Sequence, residues 1–268
     1  MTDGMPSHGL PDPGPSAPGP ESSGPETPGS EAIREVHLEV PRQARLALVG
    51  PTPGSEGSPS ERSVEELWIV LHGYRQLARR FLRPFRGLAG PNRLVVAPEG
   101  HSRFYLEGAP GPHRSADPVG ASWMTREDRE MEIRDYVAYL DRVRDRFAGP
   151  GTRLTVLGFS QGVHTAARWV ALGAGGEAVE RWADTRLVLW GAALPRDLPS
   201  GSAGRFRALS ELVLVRGKQD QLRNRDDEEW EERWLDREEI PFQVEEHPGG
   251  HRIAEPLLRE RFRRPLKK

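Results

Sequence analysis

The sequence predicts an α/β fold, in which a doubly wound and mostly parallel sheet is covered by helices on both faces. Short apolar runs rich in branched residues recur along the chain, each followed within two residues by glycine or proline. They are Leu67–Leu71, Arg93–Ala97, Leu154–Leu157, Leu187–Trp190 and Leu212–Val215. Strands buried on both faces have this composition and are typical of parallel sheets. Amphipathic segments between the runs complete the strand–helix alternation of doubly wound folds.

The predicted helices separate apolar from polar residues at helical spacing. The longest lies within Arg126–Phe147, and another occupies the acidic segment Asp226–Glu239. A third, between Leu77 and Leu88, has an arginine stripe on its polar face: Arg75, Arg79, Arg83 and Arg86. We interpret this stripe as a solvated helix face, with a surface that favours anionic substrates as the less common alternative.

The N-terminal segment 1–30 consists almost entirely of proline, glycine, serine and acidic residues. Such a segment has little apolar surface to offset the entropy of ordering, so we predict a disordered tail. Residues 31–268 are then predicted to form a single α/β domain. Within it, the low-complexity stretch Gly50–Ser60 is predicted to be a long loop between edge strands.

Charge and composition exclude several classes of function. The net charge is −2, whereas general nucleic-acid binders carry a basic excess, so no nucleic-acid partner is expected. The chain has no cysteine, which excludes disulfides, thiolate metal sites and a cysteine nucleophile. No basic segment followed by an apolar one opens the sequence, and no apolar run approaches bilayer length. We therefore expect a cytoplasmic protein without stable membrane insertion.

The motif GFSQG places Ser160 between two glycines, just after the predicted strand Leu154–Leu157. In this context a strand turns sharply into a helix and holds the serine in a strained conformation at the tip. A side chain at either glycine would clash in so tight a turn. The alternative is an ordinary strand-to-helix turn in which Ser160 caps the helix.

A serine hydroxyl is a poor nucleophile and needs an adjacent base. In doubly wound hydrolases the acid and the base follow the serine in that order, each after a later strand. Asp220 follows the strand Leu212–Val215, and His251 follows a predicted strand around Phe242–Glu245 and a pair of glycines. The order and the loop positions identify Asp220 and His251 as the partners of Ser160.

Other residues compete for these roles. Asp226 and Asp227 open the acidic helix, where carboxylates interact favourably with the helix dipole, so we expect them to cap that helix. His247 lies at a strand end before a proline and is the alternative base. His164 falls within the helix after Ser160, where a packed or solvated histidine is the more common interpretation.

Acyl transfer also needs two N–H donors for the oxygen that becomes negatively charged. One is normally the backbone N–H of the residue after the nucleophile, here Gln161. The other comes from a loop after an earlier strand, and the strand Leu67–Leu71 leads into such a loop at Gly73. A glycine lets the backbone approach the substrate closely. We therefore assign the Tyr74 N–H as the second donor.

Together these motifs resemble the phospholipase/carboxylesterase family of α/β-hydrolases, which contains carboxylesterases and acyl-protein thioesterases. The resemblance covers about residues 67–257. The matching motifs are Leu71-His72-Gly73, Ala97-Pro98-Glu99-Gly100, Ala121-Ser122-Trp123, GFSQG, Gly217–Asp220 and Gly250-His251.

The resemblance implies the α/β-hydrolase fold, with Ser160, Asp220 and His251 as catalytic residues. It also implies an oxyanion hole at Tyr74 and Gln161, and no metal or organic cofactor. The residues expected at the substrate pocket are His72, Gly73 and Trp123.

The predicted function is hydrolysis of carboxylic esters through an acyl-enzyme on Ser160. The expected substrate is a small-molecule ester or acyl compound, and the protein is expected to be a monomer or homodimer. Two alternatives remain at this stage. One is a catalytically silent binding protein on the same fold, and the other is an acyltransferase, lyase or peptidase that uses the same serine chemistry.

Overall fold

The computed structural model describes residues 33–51, 64–106, 112, 114–173 and 182–263. The predicted tail and most of the predicted loop Gly50–Ser60 lie outside these residues. The chain divides into two compact units, Met1–Arg42 and Gln43–Lys268, and all described helices and strands belong to the second. The domain boundary at residue 31 stays a prediction.

Seven strands form one sheet in the order β1-β3-β2-β6-β7-β8-β9. They are β1 (Leu46–Val49), β2 (Glu66–Leu71), β3 (Arg93–Pro98), β6 (Arg153–Phe159), β7 (Thr185–Trp190), β8 (Glu211–Gly217) and β9 (Gln243–His247). Strand β1 pairs antiparallel with β3, and all other neighbours are parallel. Two further strands, β4 (Ser102–Tyr105) and β5 (Val119–Ser122), form a separate antiparallel pair.

The predicted fold class is confirmed, because every predicted central run is a strand of the parallel part of this sheet. Strand β2 shows why its sequence is a continuous apolar run. Leu67, Ile69 and Leu71 face one core, while Trp68 and Val70 face the other. The prediction that the loop after β1 joins two edge strands is wrong for β2. This strand pairs with both β3 and β6 and lies in the interior of the sheet.

Helices cover both faces of the sheet. One face packs against α1 (Ala78–Phe81), a 3₁₀ helix (Arg83–Leu88) and α6 (Glu255–Phe262). The other packs against α2 (Arg129–Phe147), α3 (Gln161–Leu172), α4 (Ala203–Arg207) and α5 (Arg225–Arg237). No helix in the described part of the chain combines the length and the hydropathy needed to cross a bilayer.

Two helices differ from their predicted form. The predicted helix between Leu77 and Leu88 is split into α1 and the 3₁₀ helix, with Pro84 in the first turn of the second piece. Proline lacks the N–H that a continuous α-helix requires at that position. The acidic helix α5 is capped by Asn224, whose side chain accepts hydrogen bonds from Asp226 N–H and Asp227 N–H. The two aspartates lie in its first turn.

Candidate active site

Ser160 lies at a sharp turn between β6 and α3, with φ 54° and ψ −120°. A positive φ is strained for a residue with a side chain, and such strain persists only where the surroundings enforce it. A Cβ on Gly158 would lie 2.3 Å from the Gly162 oxygen, and one on Gly162 would lie 2.2 Å from the Leu71 oxygen. Both glycines are therefore required by the backbone packing. The Ser160 N–H donates to the Trp190 oxygen over 2.9 Å, which ties the turn to β7.

Asp220 and His251 are brought together by the loops after β8 and β9. The Nδ1 atom of His251 lies 2.7 Å from Oδ2 of Asp220, whose side chain is 1% exposed. The second oxygen of Asp220 accepts the Leu222 N–H over 2.8 Å. An ionised carboxylate only accepts, so it selects the His251 tautomer with the proton on Nδ1. Nε2 then carries a lone pair that can accept a proton.

The His251 ring lies beside the turn that holds Ser160. Its centroid is 4.8 Å from that of Phe159, the residue before Ser160. On another side, a Cβ on Gly191 would lie 3.3 Å from His251 Cε1, so the loop after β7 packs closely on the imidazole. The carboxyl ends of β6, β7, β8 and β9 thus converge on one place, as expected for parallel strands.

The loop between β2 and α1 lies against the same turn. A Cβ on Gly73 would be 3.2 Å from Ser160 Cβ, so only glycine permits this approach without displacement. The Gly73 N–H donates to Gln76 Oε1 over 2.8 Å, and the Arg75 N–H donates to the Ala121 oxygen over 2.9 Å. Tyr74, between these anchors, has no acceptor for its N–H among the described residues. Its half-exposed ring stacks on Phe104 at 5.3 Å.

His72 is fully buried beneath this loop and holds it in place. Its Nε2 accepts the Gly100 N–H over 3.0 Å, and its Nδ1 lies 2.8 Å from the Gly73 oxygen. Because Nε2 accepts, Nδ1 must carry the proton and donate. Burial lowers the pKa of His72 below its ordinary value, which favours this neutral tautomer. The structure places His72 as a support of the loop rather than as an open pocket residue.

The side chain of Gln161 connects the two predicted N–H donors. Its Nε2 donates to Ser122 Oγ and to the Met124 oxygen, both over 2.9 Å, and its Oε1 accepts the Trp123 N–H over 3.1 Å. The Trp123 indole N–H in turn donates to the His72 oxygen over 2.8 Å. Segment 121–124 therefore links the residue after Ser160 to the loop that carries Tyr74. No local sequence pattern predicts this role of the Gln161 side chain, because its partners are 37 to 39 residues away.

Within the described part of the chain, none of the competing residues forms a pair like that of Asp220 and His251. His247 is buried at the end of β9, where its Nδ1 accepts the Gly249 N–H over 3.1 Å. Asp227 pairs with Arg196, and Asp226 N–H donates to the helix cap. His164 lies one turn after Ser160 in α3, and burial lowers its pKa to about 4, with a further contribution from the Arg168 charge. It is therefore a neutral imidazole near neutral pH.

A cavity of about 200 Å³ adjoins the Ser160–His251–Asp220 cluster. Three of its lining residues connect it to that cluster. His164 is four residues after Ser160, Gly191 packs on His251, and the Leu222 N–H binds Asp220. The remaining lining residues are Ala192, Ala193, Leu194, Arg216, Arg223, Asn224, Asp227 and Glu228.

Charged side chains in the cavity wall are paired with one another. Two nitrogens of the Arg223 guanidinium, Nε and Nη2, each donate to the Glu228 carboxylate over 2.7 Å. Arg216 donates to the buried Glu231 over 3.0 Å. Burial raises the pKa of Glu231 to about 7, although the Leu194 N–H and Arg216 oppose the shift. The two arginines of the wall are therefore compensated by neighbouring carboxylates.

Comparison with known proteins identifies a family and a shared fold. The family model described as "Serine hydrolase (FSH1)" matches residues 66–256. Among solved structures, acyl-protein thioesterase 2 of Zea mays is 16% identical, with 81% of this chain and 96% of that chain covered and a TM-score of 0.55. A carboxylesterase of Mesorhizobium loti is 16% identical, with 83% and 94% covered and a TM-score of 0.54.

A third similar structure, esterase PE8, is 18% identical, with 82% and 99% covered and a TM-score of 0.52. At such identities the likeness shows a shared fold, the α/β-hydrolase fold expected from the sequence. No curated protein sequence matches the chain.

Proposed function

Because the chain belongs to the serine hydrolase (FSH1) family, we propose that it cleaves carboxylic esters through an acyl-enzyme on Ser160. The observation that carries the proposal is the convergence of the strained turn at Ser160 with the Asp220–His251 pair. The hydrogen bond of 2.7 Å in that pair orients the imidazole beside the serine. A base oriented by a third group next to a serine is the arrangement that activates a hydroxyl.

In the proposed reaction, His251 Nε2 takes the proton of the Ser160 hydroxyl as its oxygen attacks the carbonyl carbon. Asp220 stabilises the imidazolium that forms. The N–H groups of Tyr74 and Gln161 donate to the oxyanion of the tetrahedral intermediate. His251 then gives its proton to the leaving alcohol or thiol. Water, deprotonated by His251, attacks the acyl group and regenerates Ser160.

A fluorophosphonate probe tests the first step, because it phosphonylates only an activated serine. The wild-type protein is expected to be labelled at one site, and mass spectrometry of the proteolysed protein should place the label on the peptide that contains Ser160. His251→Ala should abolish labelling, since the hydroxyl loses its base. Labelling of a different serine, or undiminished labelling of His251→Ala, would contradict the proposal.

The same experiment separates the alternatives. A folded protein without any labelling would favour the catalytically silent binding protein. A labelled protein that transfers its acyl group to added alcohols or amines faster than to water would favour an acyltransferase. The cytoplasmic location, the monomeric or homodimeric state and the lack of a nucleic-acid partner remain proposals from the sequence alone.

The cavity beside the triad suggests the size of the substrate. At a share of about 30 Å³ per water molecule, a volume of about 200 Å³ holds roughly seven water-sized groups. Its wall combines polar side chains such as His164 and Asn224 with apolar ones such as Leu194, so the size of the cavity, rather than its polarity, limits the length of an alkyl chain that fits. We infer that one arm of the ester, acyl or alcohol, is short when it enters this cavity.

Two series of esters test this inference, one varied in acyl length with a nitrophenyl leaving group and one varied in alcohol length. In the series that varies the arm entering the cavity, kcat/KM should peak near about four to six carbons. It should then fall about tenfold by ten carbons, because longer chains no longer fit. Leu194→Ala removes part of the cavity wall and so enlarges the cavity, which should shift that peak to longer chains. Leu212→Ala, a buried leucine away from the cavity, serves as the matched control. A kcat/KM that rises through long chains in both series would contradict the inference.

A further inference from the structure

A second, larger concavity lies on the other side of the domain, between strand β1 and the α1–3₁₀ segment. Its volume is about 690 Å³. Its lining residues are Arg45, Leu46, Ala47, Leu48, Val49, Leu77, Ala78, Arg79, Arg80, Leu82, Arg83, Arg86 and Glu99. We call it the arginine groove. The mechanism proposed above uses none of these residues.

The arginine groove carries an excess of positive charge in a chain whose net charge is −2. Five of its lining residues are arginines and one is a glutamate. That glutamate, Glu99, is buried and accepts hydrogen bonds from Arg45, Arg103 and the Ala78 N–H. Its carboxylate is thus engaged by these donors and forms no ion pair with the other arginines of the groove.

The remaining arginines of the groove are exposed, and none forms an ion pair with a described residue. They are Arg79, Arg80, Arg83 and Arg86. Guanidinium groups bind carboxylates in a planar, two-pronged geometry. Arg75, which the sequence placed on the same stripe, lies instead in the loop next to Tyr74 with φ 68°. Arg45, the residue before β1, lines the groove although it is not part of the predicted stripe.

The opposite wall of the groove is the edge of the sheet. Successive residues of a strand point to opposite faces, so a cavity against one face would be lined by alternate residues. Here the consecutive residues 45–49 all line the groove, so it runs along the backbone edge of β1. Among the described strands, β1 pairs only with β3. Leu48 in this wall is 44% exposed.

From this juxtaposition we propose that the arginine groove binds an extended acidic peptide segment of a partner protein as an added strand beside β1. The exposed edge supplies backbone donors and acceptors, which is how peptides add to sheets. Alternate side chains of such a strand point to the same face, about 6.6 Å apart. Carboxylates at every second position would therefore face the arginines of α1 and the 3₁₀ helix.

Fluorescence anisotropy with a labelled peptide that alternates glutamate and valine tests the proposal on the full chain. This peptide should bind, and added salt should weaken the binding. The same peptide with glutamine in place of glutamate should bind at least about fivefold more weakly, because its charge pairs are lost. The same peptide with N-methyl groups on alternate amides should also lose binding, because it cannot form the strand. Equal binding of all three peptides, or no binding of the acidic one, would overturn the proposal.

Two double variants separate the groove from general surface charge. Arg83→Gln with Arg86→Gln should weaken binding of the acidic peptide about fivefold. The matched control, Arg233→Gln with Arg237→Gln, removes the same charge from exposed positions of α5 and should bind as the wild type does. Fluorophosphonate labelling should be unchanged in both, which shows that the domain is folded. Equal losses in both variants would overturn the proposal, as would binding to phosphatidylserine vesicles without binding to the peptide.

Discussion

Replacing Ser160 by alanine is expected to lower kcat for ester hydrolysis by about 10⁶-fold, the loss typical of a serine nucleophile that acts together with its base. The geometry explains why the loss should be so large. Ser160 is held at φ 54° beside His251, and His251 is held by Asp220. Removal of the oxygen leaves this arrangement without an atom to form the acyl-enzyme. Only substrate binding and oxyanion stabilisation would remain.

The measurement is steady-state and single-turnover hydrolysis of a nitrophenyl ester. Ser202→Ala is the control serine substitution, because Ser202 is buried and its Oγ has no hydrogen-bond partner among the described residues. It should retain the wild-type kcat. A Ser160→Ala variant that keeps more than about a tenth of the wild-type kcat would contradict the assignment of the nucleophile.

Combining substitutions gives a sharper version of this test. Residues that act as one unit have non-additive effects. The double variant Ser160→Ala, His251→Ala should therefore be no slower than Ser160→Ala alone, within about tenfold. Asp220→Asn keeps the shape but favours the wrong imidazole tautomer, and a loss of about 10⁴-fold in kcat is expected. Independent, multiplying losses would show that the three residues do not form one catalytic unit.

The sheet was predictable because its strands are buried on both faces. In β2 the hydrophobic run is continuous, since Leu67 and Trp68 contact different cores. The order of Ser160, Asp220 and His251 was predictable for a related reason. The carboxyl ends of parallel strands share one edge, so residues that follow different strands meet in space.

What sequence reasoning missed depends on contacts between distant segments. The carboxamide of Gln161 binds residues 122–124, and His72 binds Gly100. No local pattern marks either hydrogen bond. The arginine stripe was only partly informative, because helical spacing cannot show that Pro84 splits the helix. Nor can it show that Arg45, from the segment just before β1, also lines the groove.

The second large effect is expected at Gly162, where alanine should lower the free energy of unfolding by about 3 kcal/mol or more. A Cβ there would lie 2.2 Å from the Leu71 oxygen and 2.9 Å from the His72 oxygen. Both are backbone atoms of the strand end and loop that carry Tyr74, so no side-chain rotation can relieve the clash. Helix α3 and strand β2 would have to separate, against the packing of a closely filled core.

The measurement is urea denaturation, with Gly204→Ala as the matched control. Gly204 is also helical, in α4, and a Cβ there meets no heavy atom within 4 Å. Alanine at that position should leave stability unchanged or raise it by about 0.5 to 1 kcal/mol, because alanine is the better helix former. Any folded Gly162→Ala protein should also be slower in ester hydrolysis, since relief of the clash moves Tyr74 away from Ser160. Wild-type stability in Gly162→Ala would mean that α3 does not approach Leu71 as described. The close contact that aligns the two N–H donors would then have to come from elsewhere.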